Sequence, residues 1–257
     1  MVKIFTVSHG PQPYLTNKLY QTIYVNSKAH SNIGSSITDA TGNNISNKNE
    51  NFCELTASYW ITQNCTDQEY VGLCHYRRYF NLFYNKLSIS PSTQKRITAQ
   101  NFKKTKLYTV PSETQQEHIV NILKNYDVIL PRHSVSKHNK RPISLSENYK
   151  IFHRERDFNI TKSVIAEKYP SYKTSIVEYL DNGNSFHAAN MLIAPKKIWD
   201  DYHNWLFSIL FEVEKRIEIP IDDYQKRVFG FISERLLGLY FYNNKLNIKE
   251  IPLYKIE

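Results

Sequence analysis

The sequence predicts a single α/β domain built on a mixed, mostly parallel central sheet flanked by helices. Three observations carry that expectation. Short apolar and β-branched runs at residues 2–8, 70–74 and 127–130 read as strands covered on both faces. Segments with apolar residues three and four apart alternate with them, the pattern of helices returning the chain to a sheet. A length of 257 residues, 41% of them hydrophobic and 14% aromatic, is ample for one large core.

From the N-terminus, residues 2–8 form the first strand and stop at the turn Ser8-His9-Gly10-Pro11. Residues 26–50, rich in Gly, Ser and Asn, read as a long loop, and loops of that length in compact domains usually serve function. A helix is predicted from Asn51, with Glu54 three residues on as its capping-box partner and Leu55, Tyr59 and Trp60 along one face. The strand at 70–74 follows, and residues 81–113 are irregular. Residues 115–126 form a helix with Ile119, Ile122 and Leu123 as its apolar stripe, leading into a strand at 127–130 that Pro131 stops. Residues 132–141 are a basic loop. Helices are expected over 157–168 and 175–180, and a short strand over 189–194. Pro195 opens a strong amphipathic helix to Ile217, since proline in a first helical turn sacrifices no hydrogen bond. A last helix over 224–242 precedes a closing strand over 248–254.

Composition narrows the function. A net charge of +9 favours an anionic partner: nucleic acid, an anionic membrane surface, or a phosphorylated small molecule. No nucleic-acid module, internal repeat or low-complexity tract accompanies that charge. Three cysteines (Cys53, Cys65, Cys74) without a CxxC spacing argue against a disulfide framework and a structural zinc site. No run reaches the roughly 18 apolar residues needed to span a bilayer, and the N-terminus lacks a signal-peptide layout, so a cytoplasmic protein is expected. The phosphate loop, dinucleotide fingerprint, nucleophile elbow and H-E-x-x-H motifs are all missing. No D-x-D follows a buried strand either, so no divalent metal and no other cofactor is expected.

The densest chemistry lies in Tyr70 to Phe80, "YVGLCHYRRYF". A buried strand runs straight into His75, Arg77 and Arg78, and strand ends in open α/β sheets face the ligand crevice. Two guanidinium forks beside an imidazole suit a diphosphate; the plainer reading pairs one arginine with a carboxylate while Tyr76, Tyr79 and Phe80 pack. Asp39 lies in the Asx-rich loop "TDATGNNISNKN", where it can accept from a ribose or a base or merely shape a turn. His153 and Asp157 stand four apart, able to share a helical face as a base and its orienting group. Arg227 and Glu234 stand seven apart on the last helix and face nearly the same way. Glu234 is thereby a general base or one half of an ion pair, and Asn190 reads as core or strand edge.

The blocks "TDATGNNISNKNENFCELTASYW", "YVGLCHYRRYF", "DVILP", His153 with Asp157, "NMLI" and "RVFGFISERL" occur in an order that resembles a bacterial glycosyltransferase family. That family belongs to capsule, exopolysaccharide and O-antigen clusters and was long catalogued as a domain of unknown function. The resemblance runs over residues 2–255. Asn43, where an acid is frequent, and His187, where an aromatic is common, depart from its pattern.

The resemblance implies a GT-A-like fold and sugar transfer from a nucleotide donor, some relatives being similar to inverting galactofuranosyltransferases that use UDP-galactofuranose. It implies that His75, Arg77 and Arg78 take the metal's place at the donor diphosphate. It places the nucleotide and sugar near His9, Asp39, Asn44, Asn190 and Arg227, with Glu234 as first choice for the base and Asp157 with His153 as second. Residues 1–131 would then carry the nucleotide and residues 132–257 the acceptor and catalysis. The acceptor would be a growing capsular, O-antigen or lipid-linked glycan, with peripheral contact to an anionic membrane and no nucleic acid bound. The rival expectation is a non-catalytic nucleotide-sugar or nucleic-acid binding protein.

Overall fold

The structure, a computed structural model, describes residues 1–10, 12–26, 37–84 and 93–257. Among them ten strands form one sheet. They are β1 (Val2–Ser8), β2 (Tyr20–Tyr24), β3 (Ile37–Thr38), β4 (Tyr70–His75), β5 (Arg78–Phe80), β6 (Gln94–Ile97), β7 (Val128–Pro131), β8 (Ile193–Pro195), β9 (Ile248–Ile251) and β10 (Leu253–Ile256). The main order is β9-β7-β8-β4-β1-β2-β3. β1 pairs parallel with both β2 and β4, and β9 pairs parallel with β7. β8 runs antiparallel to both β4 and β7, so those two strands point the same way. β5 folds back on β4, and β10 joins β5 to β6. The sheet is the mixed, mostly parallel one expected.

Side-chain alternation feeds two cores. Phe5, Val7, Val71, Leu73, Val128 and Leu130 face one, while Ile4, Cys74, Ile129 and Ile193 face the other. Helices α1 (Asn49–Phe52), α2 (Leu55–Asn64), α4 (Leu145–Phe152), α5 (Glu155–Lys168), α6 (Lys196–Arg216) and α7 (Val228–Asn243) cover the first core, and α3 (Ser112–Leu123) the second. Strands clad on both faces need no polar side, which is why they read as unbroken apolar runs. Gly72 lets β8 sit tightly on β4. A Cβ there would lie 2.8 Å from Ile193 Cγ1 and 3.2 Å from Ile4 Cγ1.

Several boundaries differ from the sequence reading. The helix expected from Asn51 is broken at Cys53 (φ 51°), so Glu54 precedes α2 and makes no capping box. Of the long loop at 26–50, residues 27–36 lie outside the described residues; 37–38 join the sheet edge, and Ser46–Lys48 form a 3-10 turn leading into α1. The strand expected over 189–194 begins only at Ile193, because Ala189 and Asn190 are left-handed. The last helix starts at Val228 after a 3-10 turn, and Pro252 splits the closing strand into β9 and β10. The basic loop at 132–141 contains a small hairpin, and residues 176–181 wind as a π-helix. Helix α4 had no counterpart in the reading; Ser144 caps it by accepting from Glu147 N at 3.1 Å. Among the described residues no helix is long and apolar enough to cross a membrane.

Candidate active site

The strands β1 and β4 end at the same rim of the sheet, and a cleft of about 650 Å³ opens there. His9 follows β1. His75 and Arg78 face each other across the β4–β5 hairpin, leaving Tyr76 and Arg77 as its two-residue turn. That turn is held on both sides, by Tyr76 N donating to Val7 O at 2.9 Å and by Ile256 N donating to Arg77 O at 2.9 Å. The Arg77 guanidinium lies 4.8 Å from the Tyr76 ring centroid, and Tyr76 meets His9 edge-on at 5.1 Å. Arg77 is exposed, while Arg78 is half-buried with its Nε hydrogen-bonded to nothing. The apolar run of β4 thus carries two guanidinium groups to the cleft on a braced turn.

Facing them is the turn Ala188–Asn190, in which Ala189 (φ 76°) and Asn190 (φ 48°) are consecutive left-handed residues with side chains. Such conformations cost of order 1 kcal/mol or more each and persist where surrounding contacts over-determine them. Here the contacts are polar. His75 Nε2 donates to Ala189 O at 2.7 Å, which fixes the proton on that nitrogen. Ala189 N donates to Glu234 Oε1 at 2.8 Å. Asn190 Nδ2 donates to Glu54 Oε1 at 2.7 Å and to Gly230 O at 3.2 Å. One strained turn therefore registers an imidazole and two carboxylates against each other.

Burial sets the protonation states of this wall. It lowers the His75 pKa, an effect that the Glu54 charge opposes and Arg78 reinforces, so His75 is a neutral donor and the positive charge opposite the carboxylates is that of the arginines. Burial raises the Glu234 pKa, with Arg235 and the Ala189 N–H pulling the other way. Glu234 Oε2 takes a hydrogen bond of 3.2 Å from Arg235 Nη1, and Arg235 is fixed by Asn148 Oδ1 at 2.9 Å and the Phe186 ring at 4.9 Å. A held carboxylate with an elevated pKa in a cleft has the form of a general base. Arg227 also lines the cleft, its Nε donating to Cys53 Sγ at 3.4 Å; burial pushes the Cys53 thiol up to about 11, so it is unreactive at neutral pH.

The family model described as a domain of unknown function, DUF4422, matches residues 3–245. The chain belongs to that family. Among solved structures it matches WbbM, described as a bifunctional glycosyltransferase in its apo form, with a TM-score of 0.84 and 29% identity. All of this chain and 45% of the WbbM chain are covered, so the match spans less than half of that protein. Among curated proteins, none matches.

The remaining candidates in this DUF4422 chain lie away from the cleft surface. Asp39 is fully buried with neither carboxylate oxygen partnered in good geometry, and burial pushes it up to about 6, with Thr56 opposing. Asn44 folds its own loop, donating to Gly42 O at 2.9 Å and accepting from Ser46 N at 3.2 Å. Asn190 reaches the site through Glu54. The shared helical face proposed for His153 and Asp157 does not exist. His153 is extended (φ −143°, ψ −175°) between α4 and α5, so the four-residue spacing loses its helical meaning. His153 stacks on Phe231 at 4.1 Å and faces Gln225 Oε1 at 3.2 Å, while Asp157 pairs with Arg154 at 3.6 Å. The sequence reading missed Glu54 as a site group, having given it a capping role. Among the described residues no cluster of three His, Cys, Asp or Glu side chains is arranged to hold a metal ion.

Proposed function

We propose that this chain is a glycosyltransferase that moves a sugar from a nucleotide diphosphate donor, best a UDP-sugar, to a glycan hydroxyl. The observation that carries the proposal is the convergence of Arg77, Arg78 and a raised-pKa Glu234 in one cleft, in a fold that matches a glycosyltransferase. Arg77 and Arg78 neutralise the departing diphosphate, the work a bound divalent ion does in related folds, so transfer proceeds without added metal. The acceptor oxygen attacks the anomeric carbon, the bond from that carbon to the diphosphate oxygen breaks with its electron pair leaving on UDP, and the acceptor proton passes to Glu234. Attack opposite the leaving group inverts the anomeric centre. His75 holds the 188–190 turn, and with it Glu234, in register with the arginines. Galactofuranose or another hexose is the donor sugar, and a capsular, O-antigen or lipid-linked glycan the acceptor.

A thermal-shift panel of nucleotide sugars, with and without EDTA, followed by product analysis, tests this. UDP-sugars are expected to raise Tm equally in both conditions, because ligand stabilisation reports affinity, and to yield a glycoside. Stabilisation without product identifies a binding protein; strict manganese dependence contradicts the arginine role.

A further inference from the structure

Between Asp127 and Glu147 the chain holds no acidic side chain, and its middle is a β-hairpin. Lys137–His138 pairs antiparallel with Arg141–Pro142, and the turn between them is Asn139 (φ 48°) and Lys140 (φ 66°). A two-residue turn with both φ values positive suits Asn followed by Gly. Lys140 occupies the glycine position, so a cation stands at the tip at a steric cost the fold does not require. Lys137, His138, Lys140 and Arg141 are all exposed, and among the described residues no acid pairs with them. Several helical cations differ: Lys162, Lys196, Lys197 and Arg216 each have a carboxylate partner within 2.8 Å.

The hairpin also has a defined place. It springs from the end of β7, which is parallel to β4 and separated from it only by β8. Two strand intervals, about 10 Å, separate the end of β7 from the end of β4, where the arginine turn begins, along the same rim. Pairing of Ser134–Val135 with Ser185–Phe186 and a 2.6 Å bond from Ser136 N to Asn184 O hold the root, and Val135 beside it is 44% exposed.

We infer that this hairpin docks the protein on an anionic bilayer, its cations on lipid phosphates and the mouth of the cleft beside the membrane surface. Residues 132–142 contain no Phe, Tyr or Trp, so the large aromatic rings on which single-strand binders stack successive bases are missing. Clustered cations beside a small exposed apolar residue favour an anionic leaflet, where each Lys or Arg contributes about fivefold in partitioning. The inference stands whether or not the cleft transfers sugar.

The test is sedimentation of the full chain with vesicles of phosphatidylcholine alone or with about one-third phosphatidylglycerol. The wild type should pellet only with the anionic vesicles. Lys137→Ala, Lys140→Ala and Arg141→Ala combined should lower partitioning about 100-fold, with Tm and UDP-induced stabilisation unchanged. Lys140→Gly should lose about fivefold while Tm rises, separating the charge from any structural role. Equal pelleting with neutral vesicles, or undiminished pelleting of the triple or glycine variant, overturns the inference. So does release by inorganic pyrophosphate at constant ionic strength, which assigns the hairpin to a soluble phosphate compound. Duplex DNA binding stronger than vesicle binding and dependent on the same three residues assigns it to nucleic acid and overturns it equally.

Discussion

The two walls of the cleft are built on opposite principles. On the 188–190 side most polar groups are occupied within the protein: Ala189 N and O, Asn190 Nδ2 and both Glu234 oxygens have partners, while the buried Asn190 Oδ1 has none. Opposite it, Arg77 is exposed on a turn that is itself firmly braced, and Arg78 has an idle buried Nε. The first wall holds the Glu234 carboxylate in place through Ala189 N and Arg235 before any ligand arrives. A wall of braced but unsatisfied donors awaits an anion. Pre-positioned charge of this kind costs no reorganisation during reaction, and under the proposed function the contrast separates a proton-handling side from a leaving-group side.

The sharpest way to break the contrast is at Glu234. Glu234→Gln keeps an acceptor for Ala189 N but not a base, and is expected to lower kcat about 100- to 10,000-fold with the donor KM little changed. In the wild type, kcat/KM should rise with pH around a midpoint above the usual carboxylate value, because burial favours the protonated form. Glu234→Gln should abolish that limb. On the other wall, Arg77→Ala should cost about 2–4 kcal/mol in kcat/KM, seen in steady-state assays, with an unchanged Tm because the side chain is exposed.

Much of the fold was legible because it depends on local pattern. The strands β1, β4 and β7 are apolar runs between polar stops, and α6 is an amphipathic repeat behind a proline. "HYRRYF" could be placed at a crevice because it follows such a strand. What was hidden depends on distant partners. Nothing local marks the break at Cys53 that turns Glu54 from a cap into a cleft carboxylate, since its partner Asn190 is 136 residues away. The left-handed Ala189 and Asn190 defy local preference, and only His75, Glu234 and Glu54 together explain them. The shared face of His153 and Asp157 was lost because a helix boundary falls between them.

Smaller effects refine the comparison at its margins. Asp39 is buried outside both walls, and its carboxyl is at about 6 in the folded state against an ordinary value near 3.8. Its contribution to stability is therefore greatest below pH 4 and is lost as pH rises through 6, by on the order of 2–3 kcal/mol. Asp39→Asn should raise Tm at pH 8 and leave it nearly unchanged at pH 4, a difference read by calorimetry. Least of all, Ala189→Gly should relieve left-handed strain worth about 1 kcal/mol and raise Tm by a few degrees while preserving activity, because the hydrogen bonds of residue 189 are made by its backbone.

The most direct measurement is a crystal structure with UDP bound. Phosphate oxygens within hydrogen-bonding distance of the Arg77 and Arg78 guanidinium groups, with the Glu234 carboxylate facing the vacated sugar position, are the predicted result. Phosphates lying away from the β4–β5 turn, or held there by a metal ion on Glu54 and Glu234, would contradict it.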